Sequence, residues 1–149
     1  MVIKFNDQQL YANLSDDHDF SEWYVETFIR EQMPWTYDLM GSAALKELVP
    51  TGRRYAEHFG INHPPNQGMF IAAMLDYGAN FFTFEPMATV AQDVTLDEEV
   101  KADTLFKLAE KHRFEFEDKV EESFWHPQYV KDNILGVPYD DIDLEEFRR

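Results

Sequence analysis

Apolar residues are densest between residues 67 and 86, QGMFIAAMLDYGANFFTFEP, and they recur there with a helical period. Met69, Phe70, Ala73, Met74, Tyr77 and Phe81 fall at spacings of three and four and so share one helix face. Ile71, Ala72 and Leu75 make the other side apolar as well. A helix that is apolar nearly all round belongs in the middle of its domain. The pattern therefore predicts a helical domain built around this segment. The helix should run to about Phe82, with Gly78 inside it marking the close approach of a neighbouring helix.

The flanking pattern supplies the other elements. Val2 to Phe5 suits a short strand or an extended arm, and residues 13–19 read as a polar loop. Asp19 is placed to cap a helix whose buried side is Phe20, Trp23, Tyr24, Thr27 and Phe28, with Pro34 ending it. Trp35 to Met40 predicts one further turn before Gly41. Ser42 then caps a helix over Ala43 to Phe59 with a stripe of Leu45, Leu48, Val49, Gly52, Tyr55, Ala56 and Phe59. Pro50 should bend or split it, and Gly60 stops it. Asn66 is the expected cap of the central helix, and Pro86 opens a short helix to about Gln92. Thr95-Leu96-Asp97-Glu98 has the form of a capping box before a helix reaching about Phe116. The expected fold is mainly α: a compact single-domain helical bundle of about five to seven helices over residues 1–149, with a short N-terminal strand and residues 114–149 as an acidic, aromatic C-terminal extension.

Composition sharpens this picture in two ways. Thirteen Phe, seven Tyr and three Trp supply enough large apolar surface for a sizeable core in 149 residues. The formal net charge of −16 argues against direct contact with nucleic acid or an anionic membrane and favours a basic protein partner, or mimicry of a nucleic acid's charge. The chain has no cysteine, which excludes disulfides, thiolate metal sites and cysteine nucleophiles. No basic start followed by an apolar run, and no span-length apolar stretch, is present, so the expected location is cytoplasmic.

Candidate chemistry is sparse. His18, His58, His63, His112 and His126 form no HExxH motif and no i, i+4 pair. Asp16-Asp17-His18-Asp19 carries oxygen ligands but lacks the spacing and glycine of a calcium loop, so a solvated loop leading into a helix cap is expected. Glu110, Glu115 and Glu117 lie near a helix whose other face is needed for the core. The glycines make no phosphate loop, and Arg53-Arg54 is expected to form local ion pairs with the acidic surface. No catalytic residue, metal ligand or cofactor is assigned, and an enzyme is not expected. The tail is more informative. Trp125, Tyr129 and Tyr139 are interleaved with Asp140, Asp141, Asp143, Glu145 and Glu146, the mixture of aromatic anchors and polar rim that protein interfaces use. These eight residues are the candidate partner-binding set; the competing expectation is that the aromatics pack back onto the domain.

Three stretches carry a family resemblance: the start Met1-Val-Ile-Lys with Gln8 or Gln9 following, residues 41–61 (GSAALKELVPTGRRYAEHFGI), and residues 69–88 (MFIAAMLDYGANFFTFEPMA). Together they resemble small helical proteins encoded beside type VI secretion spike and effector genes in Gram-negative bacteria. Asn80-Phe81 departs from that pattern, and the acidic tail after Arg113 has no counterpart in it. The resemblance implies a bacterial, cytosolic binding protein in a toxin-delivery context, and taken with the acidic charge the expected function is an immunity protein that neutralises a secreted toxin by occlusion, or else an adaptor that loads an effector onto the spike. An acidic nucleic-acid mimic is the remaining alternative. The expected partner is a basic effector or toxin, with no nucleic acid or membrane and with room for a homo-oligomer.

Overall fold

A computed structural model describes residues 16–126, and within them every regular element is helical. The strand or arm expected at Val2 to Phe5 lies outside the described residues. Helix α1 comprises Asp17–Trp23, a π-helical segment Tyr24–Ile29 and Arg30–Gln32. There follow α2 (Pro34–Met40), α3 (Ser42–His58), α4 (Pro64–Tyr77), α5 (Met87–Gln92) and α6 (Glu98–Phe116). Short 3-10 turns occupy Phe81–Thr83, Glu117–Lys119 and Glu122–Trp125.

The expected central helix is central. In α4, Phe70, Ile71, Ala72, Ala73 and Met74 are consecutive and all buried, so this helix is covered on every side. It packs against α3 and α6. It ends at Tyr77, five residues before the expected Phe82, because Gly78 adopts φ +142°, which no helix uses. The chain then turns, and Phe81 and Phe82 enter the core beside Phe70, Phe59, Tyr55 and Phe124 with ring centroids 5.0–6.2 Å apart. The close helix approach expected at Gly78 is found at Gly52 instead. A Cβ there would lie 2.8 Å from Ile71 Cγ1, so α3 needs glycine to press against α4. At Gly78 the close neighbour is Val120, from the segment after α6.

The helix starts also differ from expectation. Asp16, not Asp19, caps α1, its side chain accepting from His18 N at 2.8 Å and Asp19 N at 3.1 Å. Its buried side is Phe20, Tyr24, Val25, Phe28 and Ile29, whereas Trp23 and Thr27 are half-buried. The π segment is the reason: one additional residue in the turn advances the inward face relative to a regular 3.6 period. Gly41 precedes α3 as its cap, and Ser42 begins the helix with its hydroxyl turned to Glu26. Pro50 does not split α3. It forfeits one backbone hydrogen bond, but Leu45 and Val49 before it and Tyr55 and Ala56 after it are all buried and hold both halves in place. Asn66 lies inside α4, whose N-cap position is held by His63 without a side-chain capping bond. Glu98 of α6 reaches over to this end, accepting from His63 N at 2.7 Å, Asn62 N at 3.3 Å and Asn66 Nδ2 at 3.0 Å. Asp97, not Thr95, caps α6 by accepting from Glu99 N at 2.9 Å, while Thr95 bonds back to Asp93.

Candidate interaction surface

Of the eight residues expected to bind a partner, Trp125 lies among the described residues; Tyr129, Tyr139, Asp140, Asp141, Asp143, Glu145 and Glu146 lie outside them. Trp125 is buried, sits close to where a Cβ on Gly52 would be, and donates from Nε1 to Glu122 Oε2 at 2.9 Å. Phe124 beside it is also buried, and its carbonyl accepts from Tyr55 Oη at 2.6 Å. Trp125 is thus a core residue and offers no exposed anchor. A periodic pattern cannot reveal this, because Trp125 is drawn inward by α3 rather than by its own sequence neighbours.

Asp17 and Arg53 are likewise folded inward. Arg53 is buried, although its sequence context reads as surface. Its Nη1 donates to Asp17 Oδ1 at 2.8 Å, its Nε donates to Gln67 Oε1 at 2.9 Å, and its guanidinium lies 4.3 Å from the centre of the Phe20 ring. Burial lowers its pKa, and Asp17 opposes that shift. Arg54 joins Asp17 to Glu57. The expected exposed ion pair is therefore a buried network joining α1, α3 and α4, and breaking such a network leaves a stranded charge at a cost of about 3–5 kcal/mol. Asp16 serves the helix cap and Asp17 serves the arginines, so these carboxylates do not converge on a cation. Among the described residues no cluster of three or more His, Asp or Glu side chains is arranged to hold a metal.

A second buried cation lies between helix ends. Lys101 of α6 is 4% exposed, and its Nζ donates to Phe59 O at 2.7 Å and Ala91 O at 3.1 Å. Those carbonyls lie at the C-terminal ends of α3 and α5, where the helix dipoles concentrate negative charge. Burial lowers the Lys101 pKa, while Asp93 opposes the shift. The outer edge of this clamp is an open cleft of about 400 Å³ lined by Glu57, His58, Phe59, Val94, Leu96 and Lys101, among others. Burial lowers the His58 pKa as well. Lys101 commits two of its three donors to fixed carbonyls and acts as a shared cap for two helices.

The exposed counterpart is α2, which buries no residue. Trp35 is 82% exposed and Leu39, one turn on, is 77% exposed, with Met40 beside it at 38%. Ala43 and Ala44 at the start of α3 are also exposed. The opposite side of α2 is anchored. Tyr37 Oη donates to Glu26 Oε2 at 3.1 Å, and the Arg30 guanidinium lies over its ring at 5.6 Å. Glu26 also accepts from Ser42 and pairs with Lys46 at 3.1 Å and Arg30 at 3.7 Å. The Ser42 and Lys46 hydrogen bonds, followed by that of Tyr37, pull the Glu26 pKa down from 4.5 to about 2. Both nearby cations are thereby committed to Glu22 and Glu26, whereas Glu31, Asp38 and Glu47 are exposed and make no ion pair among the described residues. The result is an exposed apolar ridge on α2, with Asp38 on the same helix and Glu31 and Glu47 on the helices before and after it, all three unpaired among the described residues. The sequence carried the signal for it: Trp35, Leu39 and Met40 stand between two helix breaks, on a turn too short to have a second, core-facing apolar stripe.

No protein-family model, curated protein or solved structure matches the chain. The functional reading therefore rests on charge and surface. No helix among the described residues is long and apolar enough to cross a membrane.

Proposed function

We propose that this chain is a protein-binding protein, and specifically an immunity protein that neutralises a basic secreted toxin by occluding it. The observation that carries this reading is where the charge goes. Arg53 and Lys101 are buried against Asp17 and helix-end carbonyls, and Arg30, Lys46, Arg54 and Lys107 are each paired with carboxylates, so these six basic residues are matched by local partners in a chain whose net charge is −16. An outward negative field repels phosphate backbones and anionic lipid and attracts a basic protein face. A toxin that acts on nucleic acid or nucleotides has such a face around its active site, and a pre-folded acidic protein covers it without chemistry of its own. The type VI resemblance supports the same context.

The test is binding and rescue with basic effectors encoded beside the gene. Co-expression should restore growth. The association rate should fall at least ~10-fold between low salt and ~0.5 M salt, because steering acts through unscreened charge. An association rate indifferent to salt would count against the proposal. Binding that leaves the toxin active would replace immunity with the adaptor role, and displacement by duplex DNA from a DNA-binding partner would indicate charge mimicry.

A further inference from the structure

We propose that the α2 ridge is the docking face, and that its occupant is a protein surface with an apolar cleft edged by Lys and Arg side chains. This rests on the protein-binding reading above and names the site and the partner's chemistry. Trp35 and Leu39 present themselves on one side of a helix that contributes nothing buried to its own domain. Exposed tryptophan is the side chain most often found to dominate an interface when it is enclosed by a partner's pocket. The ridge is also held ready. Met33 is buried at one end, Pro34 starts the helix, Gly41 at φ +86° redirects the chain into α3, and Glu26 ties Tyr37 and Ser42 to α1. A pre-positioned helix loses little conformational entropy on docking.

Charge selects among the occupants. A second copy of this chain would bring another net −16 against the ridge, with Glu31, Asp38 and Glu47 facing like charge. The chain's own C-terminal residues are no better matched, since Asp140, Asp141, Asp143, Glu145 and Glu146 would meet the same three carboxylates. A cationic rim on a different protein satisfies all three carboxylates that have no ion pair among the described residues, while its cleft takes Trp35 and Leu39.

The experiment places a photo-reactive phenylalanine analogue at Leu39 in the full-length chain, identifies the cross-linked protein and purifies it. That protein is then re-bound to the wild type, to W35A/L39A, to E31Q/D38N/E47Q and to F114A, which alters an exposed aromatic on α6. Since every substituted side chain is exposed, all variants should melt with the wild type. The expected result is a cross-linked protein with a cationic surface. W35A/L39A should weaken binding ~30-fold or more, mainly through faster dissociation. E31Q/D38N/E47Q should slow association and flatten its salt dependence, and F114A should bind normally. Equal binding by W35A/L39A and wild type overturns the α2 assignment and leaves the protein-binding reading standing. Cross-links confined to a second copy or to residues 127–149 also overturn it. If the wild type binds no protein at low salt, both readings fall.

Discussion

Gly78 shows how much one residue decides. It takes φ +142° at the end of α4, and a Cβ there would stand 2.6 Å from Val120 Cγ2. Val120 is β-branched and has little freedom to swing aside. Gly78→Ala should therefore destabilise the fold by about 2–4 kcal/mol, adding backbone strain to overlap. Urea unfolding should show a lower midpoint with an unchanged slope. G78A/V120A should recover only part of the loss, because it removes the overlap and leaves the φ. Full recovery would mean that the backbone at 78 is not strained by a side chain. Gly60 also has a positive φ, but nothing lies within 4 Å of where its Cβ would be, so the two glycines stop their helices under different constraints. The sequence marks Gly60 as a helix stop but places Gly78 inside the central helix. Val120, forty-two residues on, does not announce itself as the reason for one of them.

At the scale of elements, α2 is the exception in a bundle whose other long helices each bury several residues. It is positioned by Tyr37, which packs half-buried against the core and bonds to Glu26, and by the Glu26 bond to Ser42 beyond it. The Glu26 carboxyl has a folded pKa of about 2 against an ordinary 4.5. The unfolded chain binds the proton more readily in that window, so stability is fully present above about pH 4.5 and is lost as pH falls toward 2. Glu26→Gln should remove that component. Urea midpoints measured from pH 6 down to pH 2.5 should fall less steeply in the variant than in the wild type, and parallel profiles would show that the hydrogen bonds to Glu26 do not favour its charged form. The sequence shows Glu26 as one acid among 29 acidic residues. Its importance comes from α2 and α3 folding back to place Tyr37, Ser42 and Lys46 around it.

At the scale of the molecule, the charge of −16 works in two directions. It steers basic partners inward and it repels itself in the folded state. The buried ion pairs around Arg53 are shielded from salt, whereas the surface repulsion is screened over a Debye length of about 8 Å at physiological ionic strength. Adding sodium chloride from about 20 mM to about 150 mM should therefore raise the melting temperature. A fall would show that exposed attractive pairs such as Lys46 with Glu22 and Glu26 outweigh the repulsion. The same salt that steadies the free protein should slow its association with a basic partner, so the two measurements move in opposite directions for one physical reason.

The sequence alone determined the helical class, the segment at the centre and the sign of the surface. Each of these is a local or additive property: apolar spacing along α4, helix breaks at Pro34, Gly41 and Gly60, and a sum of charges. Tertiary structure alone decided which residues along those helices are covered. It buried Trp125 against α3, drew Arg53 under Asp17, brought Glu98 to the start of α4, and left Trp35 and Leu39 facing solvent. Periodicity shows which residues share a face. Whether another element lies over that face depends on chain that is distant in sequence and adjacent only after folding, and on this chain that difference separates a core tryptophan from an exposed one.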